Sequence, residues 1–120
     1  MSKERSARAN DATAVQILAD PASRRVPIDG GGGVLAIDAD GQGVLVVRRL
    51  PRAPSGKTYE AWVIPPGGKA KRAGIFTGGE ATTIVRLGRP VAPGAMVAAT
   101  LERAGGVSAP TQSAVFRARA

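Results

Sequence analysis

The residue types that perform most protein chemistry are missing from this chain, which contains no Cys and no His. Without thiolate or imidazole groups, cysteine nucleophiles, serine–histidine relays and the usual zinc, copper or haem sites are excluded. Asp and Glu remain as acids and bases, but no paired-carboxylate motif is present. The sequence therefore predicts a protein that is not an enzyme and that has no cofactor or metal site.

A run of four glycines at 30–33 is the other feature that could do chemistry, as a loop that cradles phosphate. In phosphate-binding proteins such a loop leads into a helix, with a Lys-Ser or Lys-Thr pair. Neither pattern follows Gly33, so the run is interpreted as a turn.

The formal net charge is +8, and the basic residues are spread from Lys3 to Arg119. They form short pairs rather than a block, and no aromatic residues alternate with them as a surface for single-stranded nucleic acid requires. Nucleic acid is therefore not expected as a partner. We interpret these basic residues mainly as part of the solvated surface of an Arg-rich protein. The alternative is that they attract the domain to an anionic membrane surface.

Most of the aromatic mass lies in one stretch, SGKTYEAWVI at 55–64, and in Phe76 shortly after it. Tyr59, Trp62 and Phe76 are expected near the centre of the packing, since burying each large ring is worth roughly 2 kcal/mol or more. The alternation of residue types predicts a central strand with Tyr59 on one face and Trp62 on the other. Glu60 is expected near an edge of the Trp62 face.

Short apolar or alternating runs, separated by Gly and Pro, supply the elements that must position these residues. Sixteen Gly and nine Pro disfavour long helices, and Pro27 indicates an edge strand. The fold class predicted is all-β, an antiparallel Greek-key β-sandwich with a short N-terminal helix, and a partly open barrel is the alternative. About eight strands are expected, at 24–29, 34–38, 44–50, 58–64, 70–76, 82–87, 96–103 and 113–119.

The 120 residues are enough for one domain with a modest core. We expect residues 1–20 to form a tether and a short helix with Asn10 or Asp11 as its cap, and residues 21–120 to form the β-sandwich domain. No segment approaches the roughly 20 apolar residues that span a bilayer, and the N-terminus lacks the apolar core of a signal peptide. As given, the chain is expected to be soluble.

Three stretches, GKTYEAWVI, AGIF and ATLERAGGVSAPT, resemble the C-terminal domain of the anti-sigma-K factor family. The family pattern is a proline-containing loop, Gly-Lys-Thr-Tyr with a Trp three residues after the Tyr, an Ala-Gly-x-Phe strand, and a Thr-x-Glu strand followed by Gly-Gly and Pro-Thr. Order and spacing match over 24–116. The matching residues here are Gly56, Lys57, Thr58, Tyr59, Trp62, Ala73, Gly74, Phe76, Thr100, Glu102, Gly105, Gly106, Pro110 and Thr111.

The resemblance implies the outer domain of a membrane-bound regulator. Such proteins have a cytoplasmic module that sequesters an extracytoplasmic-function sigma factor, one transmembrane helix, and this β-domain on the extracytoplasmic side of the cell membrane. Proteolysis of the tether by site-1 and site-2 type proteases would release the sigma factor. The module and the membrane helix are missing from the sequence given, so we expect an excised domain with residues 12–19 as a juxtamembrane helix, or else a stand-alone protein.

Most signature residues are expected to have structural roles. Tyr59 and Trp62 are interpreted as core anchors, because a domain so poor in aromatics needs them for packing. Gly105 and Gly106 are interpreted as turn residues with positive φ. Gly74, inside a strand, predicts a close backbone approach or an aromatic ring above it, such as Trp62.

The signature residues near the last turn allow a further interpretation. Pro110-Thr111 is expected to fix the start of the last strand, and an ion pair between Glu102 and Lys57 is expected to hold the loop. The functional alternative is that the loops at 51–57 and 104–111 line one ligand or protein contact together with Glu102.

Two functions follow from these observations. The favoured one is a non-catalytic, extracytoplasmic sensory and regulatory domain of a transmembrane anti-sigma factor, which acts in negative regulation of transcription. The alternative is a free-standing β-sandwich that binds polyanions or cell-envelope glycan, for which the charge of +8 is the support.

Overall fold

The computed structural model of the chain describes residues 12–120, and in them one helix and eight strands. The predicted cap residues Asn10 and Asp11 lie outside the described residues. Helix α1 spans residues 12–19. The strands are β1 (Arg24–Pro27), β2 (Gly32–Ile37), β3 (Gly43–Arg48), β4 (Lys57–Ile64), β5 (Lys71–Phe76), β6 (Thr82–Arg86), β7 (Met96–Arg103) and β8 (Phe116–Arg119).

The strands form two antiparallel sheets of four strands each. Sheet A has the order β1-β2-β3-β6, and sheet B has the order β5-β4-β7-β8. The chain changes sheet after β3, after β5 and after β6, so strands distant in sequence become neighbours. This arrangement confirms the all-β sandwich prediction, and residues 51–56 cross between the two sheets.

The core lies between the inner faces of the two sheets. Leu35 and Leu45 of sheet A are fully buried there, as is Ala61 of β4. The Tyr59 ring stacks on Phe76 with ring centroids 5.5 Å apart, and its hydroxyl donates to the Pro51 carbonyl at 2.7 Å. Tyr59 thus joins the inner core to the crossing loop, as an amphipathic aromatic side chain can.

Both open sides of the sandwich are partly closed by backbone hydrogen bonds. On one side Asp29 and Arg117 exchange backbone hydrogen bonds, at 2.7 and 2.9 Å, and so connect β1 to β8. On the other side the Gly88 amide donates to the Ala73 carbonyl at 2.8 Å. These bonds hold the two sheets in one orientation and give the sandwich some of the character of the barrel that was the alternative prediction.

Helix α1 packs on the outer face of sheet A. Ala14 and Ile17 are buried against Ala36 and Val44, in an apolar cluster separate from the main core. The Ser23 hydroxyl donates to the Ile17 carbonyl at 2.8 Å at the C-terminal end of the helix. Because a helix this short is marginal in water, tertiary packing accounts for its stability. No helix in the described part of the chain has the length and apolar composition needed to cross a membrane.

The strand boundaries agree with the sequence prediction to within two residues, except in the last strand, which begins at Phe116 rather than at residue 113. The interpretation of the glycine run 30–33 as a turn was wrong for Gly32 and Gly33, which begin β2 and pair with β3. The expectation for Gly74 was wrong, because no atom lies within 4 Å of the position that its Cβ would occupy. Instead, φ at Gly74 is +139°, next to a shift in the β4–β5 register. Backbone conformation, not a neighbouring ring, is what requires glycine there.

Candidate functional site

The outer face of sheet B is buried along its two central strands, β4 and β7, which is unusual for the solvent side of an antiparallel sheet. Glu60 and Trp62 of β4 are both 0% exposed, and Glu102 of β7 is 1% exposed. The cover is the β7–β8 loop, residues 104–115, which folds back over the sheet and donates hydrogen bonds to both carboxylates. The expectation that Glu60 lies near an edge was wrong, because β4 lies between β5 and β7.

A line of hydrogen bonds runs from Trp62 to the loop. The Trp62 Nε1–H donates to Thr100 Oγ1 at 2.9 Å, and that hydroxyl donates to Glu102 Oε2 at 2.7 Å. The Thr111 amide donates to the same carboxylate oxygen at 3.1 Å, and its hydroxyl donates to Glu102 Oε1. Trp62 and Glu102 therefore have partners for their buried polar atoms, as burial requires.

Glu60 holds the first half of the same loop. Its Oε1 accepts the Val107 amide at 2.7 Å, and its Oε2 accepts Arg72 Nε at 2.7 Å. Arg72 also donates to the Gly105 carbonyl at 3.3 Å. This is the ion pair that the structure contains within residues 12–120, and half of the Arg72 side chain remains exposed.

The two glycines of the loop have different surroundings. Both have positive φ, +88° at Gly105 and +81° at Gly106, as expected of turn residues. A Cβ on Gly105 would meet nothing within 4 Å, whereas one on Gly106 would lie 2.9 Å from Glu60 Oε1 and 2.9 Å from Arg72 Nη2. Gly106 therefore allows the loop to approach the buried carboxylate.

Hydrogen bonds also determine the protonation state of Glu102. Burial by itself would raise the pKa of Glu102, but the hydrogen bonds from Thr111, Thr100 and the Gln112 amide together hold that pKa below its ordinary value of 4.5. Glu102 is thus a carboxylate near neutral pH, with donors rather than a cation around it. In the inner core, burial raises the pKa of Tyr59, which keeps its hydroxyl a donor.

The structure brings most of the signature residues of β4, β7 and the loop to this one face. Thr58 is buried beside them, and its hydroxyl bonds to the Phe76 carbonyl at 3.1 Å. Gly56, with φ of +78°, accepts the Ala104 amide at 2.8 Å and joins the two loops. Tyr59 and Phe76 belong to the inner core instead, on the opposite face of the sheet.

The predicted ion pair between Lys57 and Glu102 was wrong. Thr58, not Lys57, lies opposite Glu102 in the β4–β7 register, and the side chain opposite Lys57 is Arg103. Thr111 likewise binds Glu102 several residues before the last strand starts, rather than fixing that start.

Sequence reasoning missed Arg72 and Val107 as members of this cluster. Arg72 had one available signal, because β5 pairs back on β4 and puts a basic residue opposite Trp62, on the face that also carries Glu60. Val107 had none, since it contributes its backbone amide. Within the described residues, no group of three or more Asp and Glu side chains could hold a metal ion. The arrangement fastens a loop to a sheet by hydrogen bonds to both carboxylates.

Comparison with known proteins identifies a family for the chain. The family model described as "Anti-sigma-K factor rskA, C-terminal" matches residues 2–115 of the chain. That range contains every signature residue and all strands before β8. No curated protein and no solved structure matches the chain significantly.

Proposed function

The chain belongs to the family of anti-sigma-K factor C-terminal domains, and from that premise we propose that it is the extracytoplasmic regulatory domain of a membrane-anchored anti-sigma factor. In this role it is not a catalyst, and it restrains transcription indirectly. A cytoplasmic module elsewhere in the protein sequesters an extracytoplasmic-function sigma factor, and this domain senses conditions outside. The family match over 2–115 is the observation that carries the proposal.

Helix α1 is the part of the chain that would connect the domain to the membrane. In this account residues 1–20 are the juxtamembrane segment, and residues 21–120 are the sensory domain. Ile17 is 4% exposed and Ala14 is 2% exposed, both against sheet A. A segment packed in this way is a poor protease substrate, since cleavage needs an extended, accessible backbone.

The signal would therefore act by changing how α1 packs. While α1 is docked, site-1 and site-2 type proteases do not cut the segment, and the sigma factor stays sequestered. Release of α1 exposes the segment, and its cleavage frees the sigma factor. The packing of α1 supports this sequence of events because its apolar cluster is separate from the main core, so the helix can leave without unfolding the sandwich.

The location of the domain is tested by protease accessibility in cells. The natural gene, with an epitope tag after Ala120, is expressed in its host, and protease is added to intact spheroplasts. We expect the tag to be lost from intact spheroplasts while a cytoplasmic marker protein survives. A tag that is protected until the membrane is lysed would contradict the extracytoplasmic assignment.

A further inference from the structure

A cleft of about 470 Å³ lies at the far end of β7, beside the β7–β8 loop. Strand β8 pairs with residues 96–99 of β7, so the edge of β7 beyond Ala99 has no neighbouring strand there. The loop passes along this open edge instead. The cleft is lined by Lys57 of β4, by Glu102 and Arg103 of β7, and by Ser108, Thr111 and Gln112 of the loop, among others.

Two cations on neighbouring strands line this cleft. Lys57 of β4 and Arg103 of β7 are direct partners in the antiparallel register. Like charges directly opposite each other destabilise a sheet. Neither side chain forms an ion pair in residues 12–120, where the ion pair is that of Arg72 with Glu60. Both side chains are exposed, so an anionic molecule that enters the cleft can reach the two charges together.

Glu102, although it borders the cleft, does not neutralise these cations. Its carboxylate is 1% exposed, and its oxygens accept hydrogen bonds from Thr100 and Thr111. The same bonds hold the loop wall of the cleft in place. The wall presents Ser108 and Gln112, both exposed, as hydroxyl and amide groups for a polar ligand.

We propose that this cleft binds a small polar molecule bearing a phosphate or carboxylate group, which Lys57 and Arg103 neutralise together. Arg103 suits a two-point contact with either anion, and Lys57 adds a second charge. Ser108 and Gln112 contact the polar remainder of the molecule. Binding of an anion in this cleft does not depend on the regulatory proposal, because it can be measured without knowing what the domain regulates.

The test uses the chain itself with pyrophosphate and citrate as probes, titrated at constant ionic strength. Backbone amide shifts and the unfolding temperature are followed together. We expect at least one probe to give saturable shifts at 101–103 and 107–112 with a rise in unfolding temperature, and the more effective probe identifies the anion class. No saturable response to either probe would overturn the proposal.

Charge-matched variants separate a site from general attraction. Lys57→Gln with Arg103→Gln should weaken binding at least tenfold, while Arg48→Gln with Arg86→Gln, on the outer face of sheet A, should leave it unchanged. Equal weakening in both double variants would show that the anions respond to net charge, which overturns the proposal. The single variants Lys57→Gln and Arg103→Gln replace the double one if its amide spectrum is not that of the folded chain.

Discussion

At the residue scale, the buried carboxylates Glu60 and Glu102 are satisfied in different ways. Glu60 has a cation and a backbone amide, whereas Glu102 has hydroxyl and amide donors alone. A buried carboxylate without a cation is stable when several donors point at it, because each bond favours the charged form. The β7–β8 loop is consequently held by two carboxylates. One of them is stabilised partly by an ion pair and the other by hydrogen bonds alone.

This difference makes the stability that Glu102 contributes dependent on pH. Because its pKa is lower in the folded chain than the ordinary 4.5, its contribution is present above that pH and is lost as pH falls through the folded value. Glu102→Gln should cost about 1 to 3 kcal/mol near neutral pH, and this difference from the native chain should shrink at about pH 3.5. Urea unfolding of the native chain and of Glu102→Gln at the two pH values measures this difference in the free energy of unfolding.

The control for this prediction is Glu80→Gln, since Glu80 is an exposed carboxylate. That substitution should change stability by no more than about 0.5 kcal/mol at either pH. A Glu102→Gln deficit that stays constant between the two pH values would contradict the assignment of Glu102 as a carboxylate with a lowered pKa.

At the scale of elements, the β7–β8 loop depends on a glycine that can pass close to a carboxylate. Gly106→Ala should destabilise the domain by about 1 to 3 kcal/mol more than Gly105→Ala, because its Cβ would meet Glu60 and Arg72. Gly105→Ala carries the positive-φ cost of about 1 to 2 kcal/mol without a contact. Denaturant unfolding measures the loss of stability in the two variants. Because φ is similar at the two positions, the difference between them reports the contact with Glu60 and Arg72. Equal destabilisation would mean that the loop does not need its approach to Glu60.

The elements themselves could be predicted from the sequence, but the cover over sheet B could not. Alternation along β4 placed Tyr59 and Trp62 on opposite faces, as the structure has them. Alternation says nothing about what lies above a face, so Glu60 was expected near an edge and Glu102 beside Lys57. A loop that binds through backbone amides, as at Val107, leaves no pattern in its side chains.

At the scale of the whole molecule, the charge is distributed more unevenly than the sequence suggests. Every Lys and Arg in residues 12–120 is exposed, while Glu60 and Glu102 are fully buried. The surface is therefore more basic than the formal charge of +8 implies. Exposed charge of this kind produces nonspecific attraction to polyanions and anionic membranes. For this reason the test of the cleft requires variants matched in charge.

The pairing of strands within each sheet is also a property of the whole molecule. The sequence indicated the strands in their order along the chain, but pairing of β3 with β6 and of β4 with β7 depends on contacts between distant segments. Helix α1 is a second case, because its apolar residues predicted a helix without indicating the surface of Ala36 and Val44 that it covers. The regulatory account depends on that contact.

Limited proteolysis of the chain with thermolysin tests the central claim, that the folded domain protects the segment next to the membrane by docking α1. Ile17→Asp places a charge at a buried position of α1, whereas Val15→Asp places it at a position that is 59% exposed on the same helix. We predict that the native chain and Val15→Asp resist cleavage between residues 14 and 19. In Ile17→Asp the bonds before Leu18 and Ala19, which both variants retain, should be cut at least about tenfold faster, with residues 21–120 still intact, because proteolysis follows the population of the open form. Cleavage of the native chain at the rate of Ile17→Asp would contradict the account, since the sandwich would then not control access to this segment.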